Sequence, residues 1–186
     1  RISSNSQPDT LGYDFTSRLS KIVYTEIISG HTKLWDSRDK DIQISPAALK
    51  EIEAGSNTPF SELNQVYIYE SWQRTKSEIT TTTLGFLFFT KNQKQEDVAF
   101  GYVEYNDVAD ALLRENVNAN ANGNCNMSMA YALHAHYFIF DLMQFGVSVF
   151  KSKEDGDAIK MEYCGLRGFN SMMFPPPRYE KKVNYI

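Results

Sequence analysis

The sequence predicts an α+β fold: an antiparallel sheet of about four to six strands, three to four helices packed against it, and an extended tail at each end. Three observations predict it. First, Gln65 to Leu113 reads QVYIYESW, then EITTTTLGFLFFTK, then VAFGYVEYNDVADALL. These runs are rich in β-branched and aromatic residues and are separated by short polar breaks, the composition of sheet strands. Second, apolar residues ahead of this stretch recur at helical spacing, with helix-capping residues before them. Third, the two ends are polar or Pro-rich and lack periodicity.

Taken in order, residues 1–10 (RISSNSQPDT) read as a flexible tail. A single domain spans 11–173, in keeping with a chain of 186 residues. Asp14 is placed to cap a helix whose apolar face is Phe15, Leu19, Ile22, Val23 and Ile27, and Gly30 stops it. Leu34 and Trp35 form either a short edge strand or a packing anchor. Ser45 and Pro46 mark a second helix start, with Ser as cap and Pro in the first turn, where its missing N–H costs nothing. Leu49 and Ile52 face inward from that helix, and Gly55 ends it.

In the sheet, Val66, Ile68 and Trp72 alternate with Tyr67, Tyr69 and Ser71, so both faces carry bulky groups. The break at Thr75 to Ser77 suits an antiparallel hairpin. Gly85 marks a bulge or a close backbone approach. Val98 to Tyr105 is the next strand, and Asn106 caps a helix holding Val108, Leu112 and Leu113. The Asn-rich segment 115–126 reads as a mobile loop. Met127 to Phe145 is almost continuously apolar; its length favours a buried helix, with a long strand as the alternative. Gly146 breaks it. Val147 to Phe150 and Ala158 to Tyr163 flank a hairpin turn at Glu154, Asp155 and Gly156. Residues 174–186 form an extended tail, because the run Phe174, Pro175, Pro176, Pro177 can be neither a helix interior nor a central strand.

Composition narrows the function classes. The net charge is −4, so no basic excess points to nucleic acid. No apolar run reaches the roughly 18–20 residues of a membrane span. Aromatic residues make up 13% of the chain, favouring large buried side chains or an aromatic-rich interface. Cys125 and Cys164 either form one disulfide in an oxidising compartment or remain two free thiols.

Candidate chemistry is sparse. His134 and His136 would share a metal only on a strand, since on a helix two residues apart they diverge, and no third ligand has the spacing. Asp155, Gly156 and Asp157 resemble a fragment of a calcium loop but lack its acidic alternation. Glu51 and Glu53 read as solvated helix surface. Nothing near Cys125 in the sequence would lower its pKa. No nucleophile elbow or phosphate-cradling Gly-rich loop is present. These residues predict no enzyme, no cofactor and no metal. Tyr67, Tyr69 and Trp72 are candidate contacts to a partner, as are Phe174, Pro175, Pro176, Pro177 and Tyr179, because aromatics concentrate binding energy and a proline run loses little entropy on docking. The same sheet aromatics support an alternative, a small-ligand or glycan-binding domain that stacks its ligand on them.

Four segments carry a family resemblance. They are Arg18 to Ile27 (RLSKIVYTEI), Val66 to Trp72 with Ser77 to Phe88, Phe100 to Leu113 (FGYVEYNDVADALL), and Tyr137 to Lys153. Their order resembles the GldN/PorN family, periplasmic components of the Bacteroidetes type IX secretion and gliding-motility apparatus. Asn106 stands where that family tends to have Pro. The resemblance implies a non-enzymatic subunit of a periplasmic ring associated with the outer membrane, built with a lipoprotein partner and contacted by the periplasmic part of the motor. A periplasmic location would let a bond between Cys125 and Cys164 persist.

Overall fold

The structure is a computed structural model that describes residues 2–5, 15–74, 79–92, 95–118, 126–136, 138, 140–149 and 156. Its frame is three long strands, β4 (Gln65–Arg74), β5 (Ile79–Lys91) and β6 (Asp97–Glu104), joined as an antiparallel meander. Beside β4 lies β1 (Ile2–Asn5), which pairs with Gln65 to Ile68. Two-residue strands carry the sheet on at both edges. These are β2 (Leu34–Trp35) and β3 (Gln43–Ile44) beyond β6, and β9 (Asp141–Leu142) beyond β1. The order is β3-β2-β6-β5-β4-β1-β9, antiparallel throughout. The expected α+β class holds. Residues 2–5, however, belong to the sheet rather than to a tail: their backbone pairs with Gln65 to Ile68 and satisfies groups of β4 that would otherwise lack partners in the sheet.

Four helices are described: α1 (Phe15–Ile28), α2 (Pro46–Ser56), α3 (Tyr105–Arg114) and α4 (Met129–His134), with a 3-10 turn at Phe60–Glu62. Their buried residues join one cluster with Val66, Ile68, Trp72, Phe86, Phe88, Phe100 and Val103, the inward residues of the sheet. Helix α1 buries Phe15, Leu19, Val23 and Ile27, a stripe of period four. The polar Ser20 in that stripe is satisfied, its Oγ donating to the carbonyl oxygens of Leu63 at 2.7 Å and Thr16 at 3.0 Å. Gly30, at φ +78°, turns the chain out of the helix while His31 N–H donates to Glu26 O. Asp14, the expected cap, lies outside the described residues.

Ser45 caps α2 as expected, its Oγ accepting from Ala48 N–H at 3.1 Å, with Pro46 in the first turn. The end differs: Gly55 stays helical and Asn57, at φ +53°, takes the left-handed position. At α3 the expected cap shifts as well. Glu104 is the capping residue, without a side-chain capping bond, and Asn106 sits inside the helix. Val108 and Leu112 are buried but Leu113 is 57% exposed, because it lies past the inward stripe.

Two bulges shape the sheet. Pairing of Tyr69 with Gly85 and of Glu70 with Thr83 leaves Leu84 as an extra residue, next to the glycine that marked it. A second shift leaves Phe100 extra on β6 and turns it into the core. Gly101 follows at φ +144°, and a Cβ there would lie 2.7 Å from Leu34 Cδ1 and 2.8 Å from Trp35 O.

The segment expected as one long helix or strand is neither. Strand β8 (Asn126–Ser128) pairs with β7 (Asn116–Asn118), so both ends of the expected loop 115–126 are strand. Ser128 then caps the six-residue α4, its Oγ accepting from Tyr131 N–H at 3.2 Å. The chain leaves α4 through His136 at φ +55°, a left-handed residue that no helix continues past. Strands β10 (Gln144–Phe145) and β11 (Ser148–Val149) close a hairpin around Gly146, and the hairpin expected around Gly156 lies almost entirely outside the described residues. Residues 157–186 lie outside the described residues.

Candidate functional site

Strand alternation builds the most unusual site in the molecule. On β4, Val66, Ile68, Glu70 and Trp72 share one face by period two, and that face meets the helices. A carboxylate is therefore delivered into an apolar layer. The Glu70 side chain is 3% exposed and that of its partner His136 is 6% exposed. His136 Nε2 lies 3.0 Å from one oxygen of Glu70 and 2.9 Å from the other, so the ring donates through Nε2 in a bifurcated bond. Trp72 Nε1 donates to the same carboxylate at 2.8 Å.

Aromatic rings enclose this joint. The His136 ring lies 5.9 Å from Trp72, 5.9 Å from Phe138 and 5.5 Å from Phe140, between centroids. Phe138 stacks on Phe15 of α1 at 4.6 Å, and Phe145 meets Trp72 edge-on at 5.8 Å. Burial alone would raise the Glu70 pKa. The charge of His136 and the hydrogen bonds from His136 and Trp72 outweigh it and hold the carboxyl below its ordinary range. The carboxylate thus stays ionised in a dry setting because its donors replace water. His136 Nδ1 is buried with no hydrogen-bond partner among the described residues. Both side chains of the pair are closed to solvent.

The opposite face of the sheet has another character. Trp35 pairs across β2 and β6 with Tyr102, Tyr102 with Leu87, and Leu87 with Tyr67, so one row of large residues crosses four strands. The buried residues of all four helices lie in the cluster on the other side. Tyr67 stacks on Phe89 at 4.2 Å and its hydroxyl donates to Asp97. Tyr69 meets Tyr102 edge-on at 5.9 Å. Arg38 sits 5.7 Å above Tyr69, and Lys33 is 5.9 Å from Trp35. Tyr102 donates to Leu84 O at 3.3 Å; burial, then the nearby Glu104 carboxylate, raises its phenol pKa.

A shallow cleft of about 250 Å³ lies between α1 and α3, lined by Ile22, Thr25, Glu26, Ala111, Arg114 and Glu115. Its charges are answered within the chain. Glu26 meets His31 at 3.1 Å and Arg114 at 3.9 Å, and Arg18 meets Glu115 at 3.5 Å.

The structure divides the expected contact residues. Tyr67 and Tyr69 lie on the sheet face opposite the helices, whereas Trp72 points into the helix side. Tyr67 and Trp72 are both 7% exposed, so the three form no shared stacking platform. Phe174, Pro175, Pro176, Pro177 and Tyr179 lie outside the described residues, as do Cys125 and Cys164. His134 and His136 diverge, one exposed on α4 and one buried against Glu70. Among the described residues no group of three metal-ligating side chains forms, and no helix is long and apolar enough to cross a membrane. Glu53 is more than helix surface, since its carboxylate accepts from Phe60 N–H at 2.7 Å and ties α2 to the 3-10 turn. Sequence reasoning missed Glu70, although the signal was there: an acid at the inward parity of a strand. No family model matches the chain, and no curated protein matches it.

Proposed function

We propose that this protein is a non-enzymatic structural subunit of a periplasmic secretion and gliding-motility assembly, associated with the outer membrane, and that it works by binding a lipoprotein partner in a ring-like complex. The observation that supports the reading is a set of partly exposed large side chains on the sheet face opposite the helices. There Trp35, Leu87 and Tyr69 remain partly exposed, with Lys33 and Arg38 held against the aromatic rings. Aromatic residues and arginine on a stable surface are the groups that concentrate binding energy. Further support comes from the sequence. Three of the four segments that resemble the GldN/PorN family contribute α1, β4 with β5, and β6 with α3, which together are the structural frame. Association with the periplasmic part of the motor belongs to the same reading, as does docking of residues 174–186 on a neighbour.

Gentle extraction from native membranes, followed by mass measurement of the intact complex, tests this. The expected result is a stoichiometric lipoprotein partner, lost in Trp35→Ala and Tyr69→Ala variants that keep the wild-type melting temperature within a few degrees. Deleting residues 174–186 is expected to leave the fold intact and weaken the complex. A protein recovered alone, with no stoichiometric partner, would overturn the assembly reading in favour of ligand binding.

A further inference from the structure

We propose that the sheet face opposite the helices recognises an acidic, extended segment of a partner protein, and that Lys33 and Arg38 read its carboxylates. The proposal rests on the reading of this face as a protein-binding surface and adds the chemistry of what binds there. Charge on the face is unevenly matched. Glu104 meets Lys40 at 2.7 Å, and Asp97 meets Lys91 at 2.7 Å and also accepts from the Tyr67 hydroxyl. Asp36 accepts from the Ile42 N–H at 3.1 Å within its own turn. Asp39 and Asp41 follow on that turn and form no ion pair with Arg38 among the described residues. Lys33 and Arg38 are thus left without a carboxylate partner among the described residues, and each lies over an aromatic ring instead. Lys33 Nζ is 5.9 Å from the centre of the Trp35 ring, and Arg38 Cζ is 5.7 Å from that of Tyr69.

The two rings belong to one aromatic group. Trp35 pairs across the sheet with Tyr102, and Tyr69 meets Tyr102 edge-on at 5.9 Å. Tyr102 is buried, Trp35 and Tyr69 are partly exposed, and both cations are exposed. A ring beneath a cation positions it before anything binds, so less side-chain freedom is lost on binding. The ring also excludes water from one side, so a carboxylate arriving on the other is attracted more strongly than in bulk water. Spacing selects the class of ligand. Trp35 is on β2 and Tyr69 on β4, with β6 and β5 between them. Three strand spacings come to roughly 14 Å, beyond the span of one carboxylate and about the reach of four extended residues. A bilayer fits less well, because both rings are only partly exposed and each lies under a cation.

Titration of the full chain with decaglutamate, followed by NMR at the Trp35 indole N–H, tests the proposal without a partner. A saturable shift is expected, weakened about tenfold or more when Lys33→Glu and Arg38→Glu are combined. Lys21→Glu with Lys50→Glu makes the same charge change at exposed helix positions and should leave the affinity within about threefold. No saturable shift in the wild type would overturn the proposal, and that arm needs no variant to fold. Equal weakening by the two double variants would overturn it too, because the response would then be to net charge alone. A shift with phosphatidylglycerol vesicles and none with decaglutamate would overturn it in favour of a lipid surface. In native extracts, a photo-cross-linker placed at Leu87 is expected to capture a partner segment of net negative charge. The two readings fail separately. A captured segment without acidic residues overturns this proposal and leaves the assembly standing. Decaglutamate binding with no captured partner upholds the acidic specificity and overturns the assembly.

Discussion

At the scale of single residues, Glu70 is the side chain whose removal has the sharpest consequences. Glu70→Ala leaves the His136 ring buried without its acceptor and should cost about 3–5 kcal/mol by chemical denaturation, the range for breaking one side of a buried pair. The joint also predicts a pH dependence. The folded carboxyl titrates below its ordinary value of 4.5, so the stability it contributes is complete above that value and is lost as the pH falls through the lowered folded pKa. Melting temperatures from pH 7 to pH 3 should therefore fall more steeply below pH 4.5 in the wild type than in Glu70→Gln, which has no such proton to take up. Equal slopes would remove Glu70 as the source. Two glycines give a second residue-level expectation. A Cβ at Gly85 would lie 2.5 Å from Val103 O and collide with the Tyr102 hydroxyl, and a Cβ at Gly101 would meet Leu34 in a backbone conformation that side chains avoid. Gly85→Ala and Gly101→Ala should each lose about 1–3 kcal/mol, and more where the clash cannot relax.

At the scale of elements, capping and alternation made much of the chain legible. Ser45 before Pro46 located α2 because the signal is local, a hydroxyl within reach of a free N–H. Ser45→Ala should cost about 0.5–2 kcal/mol in thermal or urea unfolding, and a change indistinguishable from zero would contradict the cap. The alternation along β4 likewise separated Tyr67 and Tyr69 from Val66, Ile68 and Trp72. Legibility failed where tertiary pairing decides. The apolar run after Met127 has the length of a helix, yet it is cut at His136 because that ring finds Glu70, 66 residues earlier in the chain. Nothing local to Met127 announces that acid. The polar residues 2–5 fail in the same way, since their partner is β4 and no periodicity of their own predicts it. The candidate site was the least legible part. In the sequence its histidine stands beside His134 like a metal ligand and its carboxylate stands alone, because a charge at an inward position gains meaning only when its partner is known.

At the scale of the whole molecule, the two faces of the sheet divide the labour. One is sealed by the four described helices over an aromatic core, and the other carries the Trp35, Tyr102, Leu87 and Tyr67 row, in which Tyr102 and Tyr67 are buried and Trp35 and Leu87 partly exposed. Variants at the partly exposed Trp35 and Tyr69 should therefore change association while leaving unfolding largely untouched, and core variants such as Phe88→Ala should cost about 3–5 kcal/mol whether or not a partner is present. The placement of β1 also bears on how the chain reaches this state. Its four residues close against Gln65 to Ile68 on one side and Asp141 to Leu142 on the other, so they must wait for chain made much later. Loop closure over such distances is slow. Until it happens, the groove beside β4 is open to any matching strand, including the same four residues of another copy. Refolding at high protein concentration should then trap strand-exchanged dimers, whereas dilute refolding should give monomers, so the step that completes the sheet is also the one at which crowded chains can trade pieces.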